Sequence, residues 1–453
     1  MSLWNGSMTQ PEIQRGRGST GIVPRPSRAA VLLVLLLSAG MAYYHLFLLR
    51  PSILAHEARL DRGAGFYFGG DLYPIWLTGR EVLFHHQAPY SPEMTRLIQT
   101  GLFGRPLDPH HYTTDPPVTY RTFAYPVYAI LFLGPFVLFP FEYVRLFAAV
   151  VLAGAAGSSA LLWLHAVGLK LSTRKTVLVI LLALSNYYVL EGLYAEQMGL
   201  LVGLLLAGAV VAIRKGKLGC AGILLALATV KPQMCVLLTA GILLWSVSSW
   251  RERRALTISF LLSIAWLGLV GECLHAGWLR DWEGVVRGYQ GYASVPLTEL
   301  IFHTWCGLLL SVALWTGTLA LWWSLRRTEP RSLRFIYVVA ITLGITVVSV
   351  LPGQAFYDHI IMMPGTLLLG ASLLKVHERS YPTVIAFALT SSLLLWQWVG
   401  AIVVALSVLA FSEVKVRASV FALHLPLHTV IIFPFVMLTL LWLTRPKTDD
   451  PVP

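Results

Sequence analysis

From Ala29 onward the chain keeps returning to long apolar runs broken only by short hydrophilic gaps, and this pattern limits the fold more than any motif does. Ala29 to Leu49 is an apolar stretch of roughly 20 residues, enough to cross the hydrocarbon core of a bilayer. After the segment that follows it, runs succeed one another at about 127–139, 143–168, 176–191, 198–213, 218–230, 232–248, 255–272, 304–325, 335–351, 360–374, 381–411 and 418–443. Backbone N–H and C=O groups find no water in lipid, so segments of this kind span as helices. Of the 453 residues, 56% are hydrophobic and only 12% charged, whereas soluble proteins carry about 25% charged residues. The expectation is an all-α polytopic membrane protein with about twelve transmembrane helices. Several runs are too short to cross alone, and short helices interrupted by proline usually line a cavity.

The net charge is +12, but Lys and Arg are scattered through the gaps and form no face that nucleic acid would recognise. They read as topology signals. Residues 1–28 carry Arg15, Arg17, Arg25 and Arg28 ahead of an apolar run too long for a cleaved signal. They read as a cytoplasmic tail, with 29–443 as the membrane domain and 444–453 as a cytoplasmic C-terminal tail. By the positive-inside rule the chain from Arg50 to about Tyr125 is then a long first extracytoplasmic loop. Arg214 to Lys217, Arg251 to Arg254, Arg326 to Arg334, Lys375 with Arg379, and Arg445 mark cytoplasmic loops. Lys170, Arg174 and Lys175 fit only if the 13-residue run at 127–139 is re-entrant or interfacial. Cys220, Cys235, Cys273 and Cys306 show no metal-site spacing. Cys273 and Cys306 flank one predicted outer loop, which is compatible with a disulfide.

Within the first outer loop, Phe66-Tyr-Phe-Gly-Gly-Asp-Leu-Tyr-Pro-Ile-Trp76 sets Asp71 behind two glycines and among aromatic rings. Such rings collect at headgroup depth, so Asp71 reads either as a general base meeting a lipid-borne substrate or as a solvated loop acid. Leu72 to Phe84 has the pattern of an amphipathic interfacial helix. A stretch with His110-His111 and Asp115-Pro-Pro117 follows, and Tyr120 to Pro126, including Tyr125, closes the loop. His110-His111 has no third ligand at metal spacing, so no metal site is expected.

Three further places set polar groups into apolar surroundings, and charge alternation puts all of them on the outer side. Tyr194-Ala-Glu-Gln197 opens one helix and reads as a site element or as a cap. Lys231-Pro-Gln233 splits a 31-residue apolar stretch. Its ammonium faces a ligand anion or snorkels at a simple turn. Phe356-Tyr-Asp-His359 opens a late helix, with His359 as a phosphate-binding imidazole or Asp358 as a mere cap. A carboxylate base with a lysine and a histidine suits transfer from a lipid-phosphate donor to a hydroxyl. A monophosphate leaving group requires no divalent metal, and no cofactor is expected.

The order of these elements resembles the polyprenol-phosphate-mannose-dependent mannosyltransferases of glycosyltransferase family 87, within the membrane C-type glycosyltransferase superfamily. The resemblance implies the C-type architecture and an inverting transfer of a hexosyl residue, mannosyl in that family, at the outer face of the plasma (inner) membrane. The donor would be a polyprenyl-phosphate sugar and the acceptor a hydroxyl of an envelope glycolipid or glycan. It implies Asp71 as the base, Lys231 and His359 on the donor phosphate, and Gln197, Gln233, Asp358 and Tyr125 in support. The family's Gly-Gln-x-Asn is here Glu196-Gln-Met-Gly199, its Tyr-Pro-Pro is Tyr125-Pro126-Val127, and Ile360 stands where members often have a second histidine. A transporter or flippase of lipid-linked or polar solutes is the alternative, but it should show internal repeats and a midplane site, and neither is seen.

Overall fold

The computed structural model describes residues 26–59, 68–108, 110, 115, 121–290, 295–373 and 381–446. Arg15, Arg17, Arg25, Phe66, Tyr67, His111, Pro116, Pro117, Tyr120, Lys375 and Arg379 lie outside them, as do the last residues of the C-terminal tail. Among the described residues there is no strand, only an isolated bridge between Pro296 and Pro352. The protein is an all-helical membrane protein. Among the described residues five helices are long and apolar enough to span: Arg28–Arg59, Phe141–Val167, Trp250–Leu274, Thr304–Ser324 and Val384–Ala410. Thr173–Leu184 and Tyr187–Ala195 make a sixth span only if taken together across their 60° bend. Five more apolar helices have 10–17 residues. The expected count of about twelve therefore leans on helices that length alone does not qualify as spans.

Two of these short helices form the centre of the bundle. Every residue from Phe335 to Ser349 is buried in the Leu333–Ser349 helix, and Met198–Arg214 is nearly as enclosed. A helix apolar all round can only be a core helix or a membrane span, and here neighbouring helices supply the cover. The long helices Thr304–Ser324 and Trp250–Leu274 sit outside and leave Leu309, Leu262 and Leu269 exposed, as lipid-facing positions should be.

The run at 127–139 does not cross. It folds into two 3-10 turns, Val127–Phe132 and Gly134–Leu138, before the Phe141–Val167 helix begins. Pro126, Pro135 and Pro140 explain this, because each lacks a backbone donor and restricts the residue before it. A single span at Phe141–Val167 then carries the chain from the first loop to Lys170, Arg174 and Lys175, and the charge conflict disappears. The run at 176–191 is broken at Ser185-Asn186, where the Asn186 side chain caps Tyr188 N–H. The last run, 418–443, is likewise divided, into Val420–His424, the 3-10 turn Leu425–Leu427 and Phe433–Thr444. Cys273 and Cys306 are free thiols, both exposed, so the structure holds no disulfide between them.

Within the first loop one helix falls where the sequence pattern predicts. Tyr73–His85 is helical with Pro74 in its first turn, and Pro92–Phe103 follows, capped by Ser91. A third amphipathic helix, Trp278–Gln290, lies in the loop before Thr304–Ser324 and was not anticipated. Its Trp282 indole donates to the Ala124 carbonyl at 3.0 Å, and Trp278 packs edge-on against Tyr128. This helix thus fixes the segment that closes the first loop.

Candidate active site

The Asp71 loop is held from behind by backbone. Gly69 N–H donates to the Tyr194 carbonyl at 2.9 Å and Asp71 N–H to that of Ala195 at 3.0 Å. Gly69 has φ +87, and a Cβ there would stand 2.8 Å from a Glu196 carboxyl oxygen, so both the turn and the close approach require glycine. The supporting Tyr187–Ala195 helix is braced to the first span. Glu191 takes the guanidinium of Arg50 and, at 3.1 Å, His45 Nε2, while Arg50 lies 4.0 Å over the Tyr194 ring. Buried charge in a membrane domain is tolerated when paired in this way.

From Asp71 a chain of polar contacts runs across the molecule. Arg121 Nη1 donates to Asp71 Oδ1 at 2.8 Å, and Gln197 Nε2 donates to Asp71 Oδ2. Gln197 Oε1 accepts from Lys231 Nζ at 2.9 Å and from the Tyr125 hydroxyl at 3.3 Å. Lys231 Nζ also donates to Asp358 Oδ1 at 2.6 Å and stands 4.7 Å over the Tyr357 ring. The four polar clusters of the sequence thus meet at one place, and five expected site residues, Asp71, Gln197, Lys231, Asp358 and Tyr125, form one network. Gly199 makes the last contact feasible, since a Cβ there would meet Asp358 Oδ1 at 2.4 Å. Burial raises the Asp358 pKa, with Lys231 opposing that shift.

Two expected residues stand apart from the network. Gln233 is half-buried at the start of the Pro232–Val247 helix, and its side-chain amide hydrogen-bonds to no described residue. His359 packs against Tyr188 and Phe356, with ring centroids 5.0 and 5.7 Å away. Neither of its ring nitrogens has a hydrogen-bond partner among the described residues. Burial lowers its pKa to about 3, so the imidazole is neutral at physiological pH.

Three charged residues have surroundings that the sequence did not show. Arg121 looked like an ordinary loop cation between aromatic residues, and only the fold brings it to Asp71. Glu196 looked like half of a capping pair. It sits fully buried in the left-handed region, φ 55 and ψ 53, and neither carboxyl oxygen has a partner among the described residues. Its pKa is raised to about 8, chiefly by burial and against the pull of Arg145. The third is Arg145 itself. Beside this loop lies an open cavity of about 610 Å³, lined by Phe68, Tyr73, Trp76, Phe141, Arg80 and Arg145 among others, with Gly70 at its edge.

Glu196 gives a stability prediction whose sign is fixed by its raised pKa. Between the ordinary value of 4.5 and about 8 the unfolded chain has released this proton while the folded protein keeps it, so wild-type stability falls as pH rises through that window. Glu196→Gln removes the titration. The variant should match wild type in thermal melting below pH 4.5, gain on it up to about pH 8, and hold a constant lead above. A lead that does not change with pH would show that Glu196 titrates normally.

These helices, with a carboxylate-centred polar site where their ends converge, define a polytopic membrane protein built around one chemical centre. The sequence model of Glycosyltransferase family 87 matches residues 123–352, slightly more than half of the chain, and the protein belongs to that family. It is a membrane glycosyltransferase. The matched stretch contains Tyr125, Gln197, Lys231 and Gln233; Asp71 precedes it, and Asp358 and His359 follow it. Neither the curated proteins nor the solved structures contain a match to this chain.

Proposed function

We propose that the protein moves a hexosyl residue, mannosyl by its family resemblance, from a polyprenyl-phosphate sugar to a hydroxyl of an envelope glycolipid or glycan. Transfer takes place at the extracytoplasmic face of the plasma membrane and inverts the anomeric centre. The observation that carries this reading is the continuous polar chain Asp71–Gln197–Lys231–Asp358. It links a carboxylate to an ammonium, the two charges such a displacement needs at its opposite ends.

In this mechanism the acceptor oxygen attacks the sugar C1 while Asp71 takes the hydroxyl proton. The bond from C1 to the phosphate oxygen breaks, and its electron pair leaves with polyprenyl phosphate. A carboxylate offers about four lone-pair sites. Arg121 and Gln197 occupy two of them, which fixes the group and leaves room for the substrate proton. As charge builds on the leaving oxygen, Lys231 shares its ammonium between Asp358 and the phosphate. His359 is assigned to that phosphate by the family resemblance alone; neutral and packed between Tyr188 and Phe356, it could serve there only as a hydrogen-bond donor and not as a cation. Gln233, at the same helix start as Lys231, completes the polar edge.

The test is to supply radiolabelled polyprenyl-phosphate mannose to membranes containing the protein. A labelled lipid or glycan absent from control membranes is expected. Its absence, with other polyprenyl-phosphate hexoses giving product, would correct the sugar. No product from any such donor would overturn the donor class.

A further inference from the structure

Lys231 is the basic residue that the polar chain assigns to the phosphate, yet its charge is already met by Asp358 at 2.6 Å. Arg145 is in the opposite condition. It sits half-buried in the second turn of the Phe141–Val167 helix, its guanidinium makes no hydrogen bond or ion pair with any described residue, and its Nε is buried. It faces the cavity beside Gly70, one residue from Asp71. Arg80, the other guanidinium there, is already committed to the Val137 and Leu138 carbonyls at 3.1 and 3.4 Å.

Glu196 stands behind Arg145, and a carboxylate in that place would cancel the guanidinium. With its pKa at about 8 the side chain keeps its proton at neutral pH. Glu142, exposed on the cavity wall, forms no ion pair with Arg145. Of the two guanidiniums that line the cavity, Arg80 is tied to backbone carbonyls, and Arg145 alone is left with neither an ion pair nor a side-chain hydrogen bond among the described residues. Burying Glu196 with no hydrogen-bond partner among the described residues, in a left-handed conformation that disfavours a long side chain without local hydrogen bonding, is costly, and such outliers gather at functional sites.

The rest of the cavity suits a lipid-borne molecule. Tyr73, Trp76 and Phe141 form a cluster with centroids 5.1 to 5.5 Å apart, a surface on which a sugar ring or isoprenoid stacks. Leu138 at the cavity rim and Leu146, Phe147 and Val150 on the Arg145 helix are exposed apolar side chains, a path along which an acyl or prenyl chain can lie in the bilayer.

We propose that Arg145 seats the phosphoryl group of a lipid-borne substrate in the cavity beside Asp71. Its planar fork donates two hydrogen bonds to phosphate oxygens. The inference rests on the glycosyltransfer reading for the substrate class, but its test is a binding measurement that needs no turnover. A failure here is therefore distinguishable from a failure to form product.

The experiment is calorimetric titration of the purified full-length protein with a short-chain polyprenyl phosphate and, separately, with inorganic phosphate. Wild type, Arg145→Gln and Arg145→Lys are compared, with thermal melting as the check on folding. Losing a charge-assisted bidentate contact should weaken binding roughly 10-fold or more in Arg145→Gln. Arg145→Lys, which keeps the charge and loses the fork, should fall between the two. Weakening toward polyprenyl phosphate identifies the group seated there as that of the donor carrier. Weakening toward inorganic phosphate alone assigns the seat to a phosphate on the acceptor. Unchanged affinity for both ligands in a folded Arg145→Gln protein overturns the proposal. Should that variant not fold, Arg145→Lys with wild-type affinity for both ligands overturns it equally.

Discussion

Asp71→Asn is expected to lower turnover by roughly 10²–10⁴-fold, the usual contribution of general-base assistance, while the protein still folds and inserts. The substitution keeps the volume and removes the basic oxygen. It also disturbs the network, because both Asp71 oxygens accept, one from Arg121 and one from Gln197. Asparagine offers a single acceptor, so one of those donors is left facing an NH₂ group. Gln197 cannot relieve this by turning its amide over, since its Oε1 already accepts from Lys231. A modest loss in melting temperature should therefore accompany the large loss in turnover. Asp71→Glu keeps the base, displaces it by one methylene, and should fall between. A purified Asp71→Asn enzyme with near wild-type turnover would remove Asp71 from the mechanism.

The second large effect is expected at Lys231. Its side chain and that of Asp358 are 6% and 1% exposed, and breaking a buried pair by removing one partner costs about 3–5 kcal/mol. Lys231→Met should destabilise strongly. Because burial already raises the Asp358 pKa, the orphaned acid takes up a proton more readily as pH falls, and the penalty should shrink toward low pH. Adding Asp358→Asn should recover much of the melting temperature, since no unpaired charge then remains. Transfer should not recover, because the cation is still missing. Equal melting of the single and double variants would show that the two residues are not energetically coupled.

Much of this site was legible because each of its members breaks an apolar run. Lys231, Gln197 and Asp358 stand where lipid-soluble sequence would otherwise continue, and a polar group there must find a partner or a cavity. Their meeting point follows from topology, since charge alternation put all of them on one side. The 3-10 turns at 127–138 were half-legible: the charge conflict demanded a segment that does not cross, and the prolines supplied the means. The break at Ser185-Asn186 had a visible signal, an asparagine able to cap, but it was hidden inside a run of good length and hydrophobicity.

Other features had no signal of their own. An arginine in a polar loop is no anomaly, so Arg121 could be placed only by the fold. Arg145, near the start of an apolar helix, has the look of an interfacial anchor. What sets it apart is the lack of an ion-pair partner among the described residues, a three-dimensional property. Glu196 stands where the resemblance leads one to expect glycine, and the structure shows why glycine would suit: the backbone is left-handed there. His359 reads as a cation beside Lys231, but one residue further along a 3-10 helix the side chain turns to another neighbour, Tyr188.

The most direct test of a single displacement assisted by Asp71 is the anomeric configuration of the first product formed from an anomerically defined polyprenyl-phosphate hexose, read by NMR in the labelled-transfer assay. One displacement at C1 predicts a product of inverted configuration. Retention would require a covalent glycosyl intermediate or an equivalent second displacement, and would contradict the assignment of Asp71 as the base.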